Sequence, residues 1–189
     1  MYEYISGQLV SLTAATAVID CGGVGYLMEI TLNTYSAIQE KQQARLWVHE
    51  IIREDAHLLY GFYTTAERDM FRLLLAVSGV GAATARMMLS SLSVAELTNA
   101  IAAQDAKQIQ RVKGVGAKTA QRIVIELQDK VEASGTIAAA APAASQNKEE
   151  ALSALVMLGF PKAAADKVLQ KLDNTLSVEG LIKEALGKL

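Results

Sequence analysis

Apolar and polar residues alternate through the first third of the chain, and the spacing then becomes helical. The stretches YEYISGQLVSL, TAVIDCGG, VGYLMEIT, ARLWVHEII and HLLYGF put β-branched, aromatic and aliphatic side chains at alternating positions. That period predicts five half-buried strands, with a tight turn at Gly22-Gly23 between the second and third. From Thr64 onward MFRLLLAV, ARMMLSSL, VAELTNAIA and AQRIVIELQDKV read as short, interrupted helices. Thr64 with Glu67, and Ser93 with Glu96, have the spacing of a capping box. Residues 133–146, ASGTIAAAAPAASQ, carry no charge and few large side chains. Such a stretch buries too little surface to fold and predicts a flexible linker; about 14 residues give ~20 Å of reach. Beyond it, helices are predicted around 148–158, 162–172 and 177–187. Pro161 suits the first turn of the second of these. Val178, Leu181, Ile182, Ala185 and Leu186 fall on one face of the third.

These changes of period divide the chain into residues 1–63, 64–132, 133–146 and 147–189. Five short strands in about 60 residues predict a small closed barrel, an OB-fold before an SH3-like barrel. The whole is a multidomain α+β protein: barrel, helical region, linker and a three-helix bundle. A bundle of about 42 residues is small for a free-standing domain, so it is expected to work with a partner.

Net charge is −2 over 189 residues, which does not announce a nucleic-acid binder. Its distribution does more. Residues 1–63 have 3 basic and 7 acidic side chains, residues 64–132 have 9 and 7, and the remainder has 6 of each. Lys107, Arg111, Lys113, Lys118 and Arg122 have no acid between them. One cysteine, Cys21, excludes an internal disulfide, and with only His49 and His57 there is no Cys/His cluster for zinc. The start lacks the basic-then-apolar pattern of a signal peptide, and no apolar run has membrane-spanning length. A cytoplasmic protein is expected.

The most informative feature is a repeat. VSGVGAATA at 77–85 and VKGVGAKTA at 112–120 are the same segment 35 residues apart. A dinucleotide fold needs a strand before the glycines and a third glycine; the preceding AKQIQRV is polar and helix-like. A Walker A loop fails on glycine spacing and on the place of its lysine. The pattern of hydrophobic residue and glycine, twice over, between short helices resembles the helix-hairpin-helix motif. There glycines let a turn press against a DNA phosphate, which the turn and the next helix N-terminus bind without reading sequence. The candidate DNA-binding residues are Gly79, Val80, Gly81 and Ala82 in the first copy. In the second they are Lys113, Gly114, Val115, Gly116, Ala117, Lys118, Thr119 and Arg122.

The order of barrel, paired hairpins, Ala/Pro-rich linker and helical bundle is similar to that of the RuvA family, bacterial subunits that bind Holliday junctions. REDAHLLYGF at 53–62 resembles that family's signature, and GGVGY at 22–26 and ALVMLGF at 154–160 match further segments. The resemblance implies a homotetramer, or two tetramers, holding an open four-way junction on a concave face. It implies that Glu54 and Asp55 form an acidic pin on a barrel hairpin at its centre. It implies a UBA-like C-terminal bundle that binds the hexameric ATPase RuvB, with Leu155 and Leu158 at the contact, and the resolvase RuvC in a larger complex. No cofactor or metal is implied for this chain, since ATP and Mg²⁺ serve the motor, and no membrane is involved.

Two departures stand out. The first hairpin continues as Ala82-Ala83-Thr84, where the family often has a lysine, and Ala117 stands where a lysine is common in the second. Backbone N–H groups are therefore expected to carry more of the binding. A DNA glycosylase is disfavoured because no aspartate lies about twenty residues beyond the second hairpin. A metal-dependent nuclease is disfavoured because Glu54 and Asp55, as neighbours on a strand end, would point to opposite faces. A protein-only adaptor acting through the bundle is the remaining alternative, as is a helix-hairpin-helix DNA binder without junction preference.

Overall fold

The computed structural model describes residues 1–133, 143–173 and 176–188. The chain forms two compact units, residues 1–137 and 138–189. The expected linker lies largely outside the described residues.

The first unit begins with five strands: β1 (Tyr4–Leu12), β2 (Thr16–Asp20), β3 (Gly25–Ile30), β4 (Gln43–Ile52) and β5 (His57–Phe62). They close into a barrel in the order β1-β2-β3-β5-β4. All pairs are antiparallel except β3 with β5, and β4 closes the barrel on β1, with Tyr4 opposite Trp47. The alternation in sequence is the alternation in space. Ile5, Ala17, Ile19, Met28, Ile30, Leu46 and Val48 fill the interior, and their neighbours face outward.

One element was not expected. Helix α1 (Leu32–Ile38) connects β3 to β4. Its N-cap, Thr31, accepts a hydrogen bond from the Thr34 N–H, and Ile38 is wholly buried in the barrel core.

The helical part comprises α2 (Thr65–Leu75), α3 (Ala82–Ser91), α4 (Val94–Ala102), α5 (Ala106–Gln110) and α6 (Ala117–Ala133). It does not pack as a separate body. Tyr60 and Phe62 of β5 belong to its core, and both lie against Phe71 of α2, with ring centroids 5.1 and 4.9 Å away. Tilted aromatic packing of this kind adds to the burial of the rings themselves.

The Ser93–Glu96 capping box forms with both halves. The one at Thr64 does not. The Thr64 hydroxyl accepts from the Glu67 N–H at 3.2 Å, but the Glu67 carboxylate turns away into the barrel boundary. It accepts from the Thr31 hydroxyl and, at 2.7 Å, from the Thr34 hydroxyl, while Thr34 accepts from the Tyr63 N–H at 2.9 Å. Two buried donors at α1 outcompete the backbone N–H of the cap. Arg86 of α3 adds a bond to the Ala15 carbonyl at 3.1 Å and an ion pair with Glu29 at 3.3 Å. Asn33 of α1 donates to the Leu89 carbonyl at 2.6 Å. Barrel and helices are thus joined by polar bonds as well as by a shared core.

The second unit contains α7 (Ala143–Met157), α8 (Lys162–Leu169) and α9 (Val178–Leu186) around Ala151, Leu155, Ala165, Leu169, Leu172, Leu181 and Ala185. Helix α7 takes in residues 143–146, which were expected as linker. Pro161 is the N-cap of α8 rather than part of its first turn. On α9, Leu181 and Ala185 are buried as expected, whereas Leu186 is exposed.

Burial, the largest influence, pushes the Glu67 carboxyl above its ordinary 4.5; hydrogen bonds from Thr31, Thr34 and the Tyr63 backbone pull it down. The folded state therefore holds this proton more tightly than the unfolded chain. The stability linked to this group is greatest at low pH and declines as pH rises above 4.5. Denaturant titrations at several pH values should show the wild type losing stability relative to Glu67→Gln over that range. Glu67→Ala, which leaves two buried hydroxyls without their acceptor, should cost about 2–4 kcal/mol at any of them. Parallel pH curves for the wild type and the Gln variant would contradict the assignment.

Candidate nucleic-acid interface

The two repeats fold alike. Leading into each turn, Val77 and Val112 are buried, and within it Val80 and Val115 are buried too. The Val80 N–H bonds to the Val77 carbonyl at 3.0 Å, and the Val115 N–H to the Val112 carbonyl at 3.1 Å. Gly79 and Gly114 have φ of 89° and 90°, a backbone region that suits glycine. The valines therefore anchor each loop while the glycines are left on the surface. Hydrophobic–Gly–hydrophobic–Gly is the pattern this geometry requires.

Each loop delivers the chain to a helix N-terminus. Gly81 is the N-cap of α3 and has no side chain to cap it. The first return bond of α3 runs from the Ala85 N–H to the Gly81 carbonyl, and that of α6 from the Ala120 N–H to the Gly116 carbonyl. Among the described residues, nothing accepts from the N–H groups of Ala82, Ala83 and Thr84, or of Ala117, Lys118 and Thr119. Each helix start thus offers three unsatisfied donors and the positive end of its dipole.

The cations are distributed unequally. Lys113 and Lys118 are exposed at the second hairpin and form no ion pair within the described residues. The first hairpin has Ser78 and Ala83 at the matching positions. Arg122 is half-exposed and already engaged. Its Nη1 donates to the Ser78 carbonyl of the first hairpin at 3.0 Å, and its Nε lies 3.8 Å from Glu126.

Glu54 and Asp55 lie at the tip of the β4–β5 hairpin, exposed, in a bend closed by the Arg53 N–H bonding to the Ala56 carbonyl at 2.8 Å. They are beyond the end of β4, so the strand alternation that would send them to opposite faces does not apply. Below them Ile52 pairs with His57, and His57 Nε2 meets Glu50 Oε1. Among the described residues, no group of three or more His, Cys, Asp or Glu side chains is placed to hold a metal ion. None of the described helices is long and apolar enough to cross a membrane.

In the second unit the two expected partner-binding residues part company. Leu155 is fully buried in the bundle core, while Leu158 is 62% exposed beside Met157 at 87%. The i, i+3 spacing does not keep them together because α7 ends at Met157, and Gly159 turns the chain with φ of 97°.

A closed five-stranded barrel joined to a tandem helix-hairpin-helix region, with a separate three-helix bundle, defines a multidomain protein of the helix-hairpin-helix class. Family comparison specifies it further. Residues 1–61 match the RuvA N terminal domain, residues 71–129 the SAM-like helix-hairpin-helix tandem, and residues 146–189 the RuvA C-terminal domain. The chain is 48% identical to the Holliday junction branch migration complex subunit RuvA of Bacteroides thetaiotaomicron, with both chains covered completely. The subunit of the same name from Christiangramia forsetii is 47% identical, and that from Porphyromonas gingivalis 44%, again over the full length of each. This chain belongs to the RuvA family.

Gly79→Ala and Gly114→Ala should each lower stability by roughly 1–2 kcal/mol, because alanine at positive φ is strained. Gly81→Ser should act oppositely. There is open space where its Cβ would stand, and its hydroxyl supplies the missing cap, for a gain of a few tenths of a kcal/mol, since glycine is itself a tolerable N-cap. Thermal melts of the three variants check both signs.

Proposed function

We propose that this chain is a non-catalytic DNA-binding subunit that grips four-way junctions as a tetramer and holds them open for branch migration. The observation that carries this reading is the pair of hairpins whose helix starts each offer three unpaired N–H groups on a scaffold bonded to the barrel. A phosphate at either site accepts from the N–H groups of residues 82–84 or 117–119. Gly79, Gly81, Gly114 and Gly116 let the backbone come close, and Lys113 and Lys118 add charge at the second site. None of these interactions reads a base, so recognition is of shape.

Glu54 and Asp55 supply the selection. Carboxylates at a hairpin tip repel phosphates, so near the strand crossover they keep separated strands apart and disfavour an uninterrupted duplex. The C-terminal bundle recruits the hexameric ATPase RuvB. Leu158 touches the motor and Leu155 supports it from the core beneath. ATP and Mg²⁺ are used by that motor, RuvC joins the larger complex, and the setting is the cytoplasm. The names of the relatives, all subunits of a branch migration complex, support this assignment.

A gel-shift comparison tests it. At moderate salt the wild type should bind a synthetic four-way junction far more tightly than linear duplex of equal length, and the double variant Glu54→Gln/Asp55→Asn should gain duplex binding. Equal binding of both DNAs by the wild type would reduce the protein to a general helix-hairpin-helix binder. The first hairpin has no lysine at its tip. The salt slope should therefore be shallower than in a lysine-rich relative, by about one for each phosphate that meets a lysine there and none here.

A further inference from the structure

The first hairpin has no cation of its own. Ser78 and Ala83 stand where the second has Lys113 and Lys118, and Arg86 of α3 is committed to Glu29 and the Ala15 carbonyl of the barrel. The positive group that does reach this loop comes from the other repeat. Arg122 Nη1 lies 3.0 Å from the Ser78 carbonyl, across 44 residues of sequence. The bond is one-directional. The residue matching Arg122 in the first repeat is Met87, which has no donor to return to the Lys113 carbonyl.

We propose that Arg122 is a positioning residue for the phosphate site of the first hairpin, acting through the Ser78–Gly79 peptide rather than on DNA directly. This rests on the phosphate-binding reading above. The Ser78 carbonyl and the Gly79 N–H belong to one trans peptide and point in opposite directions. A guanidinium on the carbonyl fixes the plane of that peptide at the residue where φ turns positive. It also polarises the unit and makes the Gly79 N–H a stronger donor. Among the described residues that N–H has no acceptor, and Gly79 is exposed. The second helix thereby lends charge to the first loop while its guanidinium stays 3.8 Å from Glu126 and engaged with protein. The same bond ties the first loop to α6, beside the shared core that already holds Val77, Val80, Val112 and Val115 together.

The test replaces Arg122 by the residue that the first repeat uses. Arg122→Met keeps helix propensity and removes the donor. Junction affinity of the full chain is measured across a range of salt for the wild type, Arg122→Met and Lys113→Met. Lys113→Met, which removes a cation with no ion-pair partner, should reduce the salt slope by about one for each hairpin engaged. Arg122→Met should weaken binding about fivefold to tenfold at every salt concentration with the slope unchanged. A slope that falls as it does for Lys113→Met would show that Arg122 meets phosphate itself and overturn the proposal. An affinity equal to that of the wild type would overturn it as well. A wild type that binds no DNA would remove the underlying function, an outcome separable from the other two.

Discussion

The arrangement depends on a buried carboxylate. Glu67 sits at the start of α2, yet its oxygens are taken up by Thr31 and Thr34 at the other side of the barrel–helix boundary. A carboxylate at 4% exposure is costly unless hydrogen bonds replace the lost water. Here they do, and the Tyr63 N–H is satisfied by the same hydroxyl that serves Glu67. Breaking any member strands the others. With the Phe71 ring against β5 and Arg86 against Glu29, this network makes two patterns of sequence behave as one solid.

That rigidity is what gives the surface features a joint meaning. Two loops with unpaired N–H groups are attractive to phosphate, and a hairpin tip with two carboxylates is repulsive to it. Set on independent domains, each would act alone. Fixed to one frame, in the proposed function they act together on the shape of the DNA, one attracting phosphate and the other repelling it. The opposite charge balances of barrel and helical region, invisible in a net charge of −2, accord with such a division of labour.

Much of this was legible in the sequence. The period-2 runs of β2, β3 and β4 bury alternate residues, whereas β5 buries Tyr60, Gly61 and Phe62 in succession because it lies between the barrel and α2. The repeated Val-Gly pattern demanded the loop that both hairpins adopt. What escaped detection depends on neighbours distant along the chain. Helix α1 is short, and its cap Thr31 follows a strand directly, so local pattern alone did not separate it from a loop. Glu67 had the spacing of a capping box, and only the proximity of α1 redirects its side chain. Arg122 read as one more cation in a basic cluster because its carbonyl partner lies in the other repeat. Leu155 and Leu158 share a motif but not an environment, since the end of α7 falls between them.

Hydrogen exchange of the full chain, followed by mass spectrometry with and without a synthetic four-way junction, reaches the central claim most directly. The helix-start amides at 82–84 and 117–119 have no acceptor among the described residues and should exchange fast in the free protein. On binding the junction, segments 79–84 and 114–119 should slow together, because phosphate oxygens accept hydrogen bonds from those amides. Protection confined to the C-terminal bundle, with both hairpins unchanged, would contradict the account.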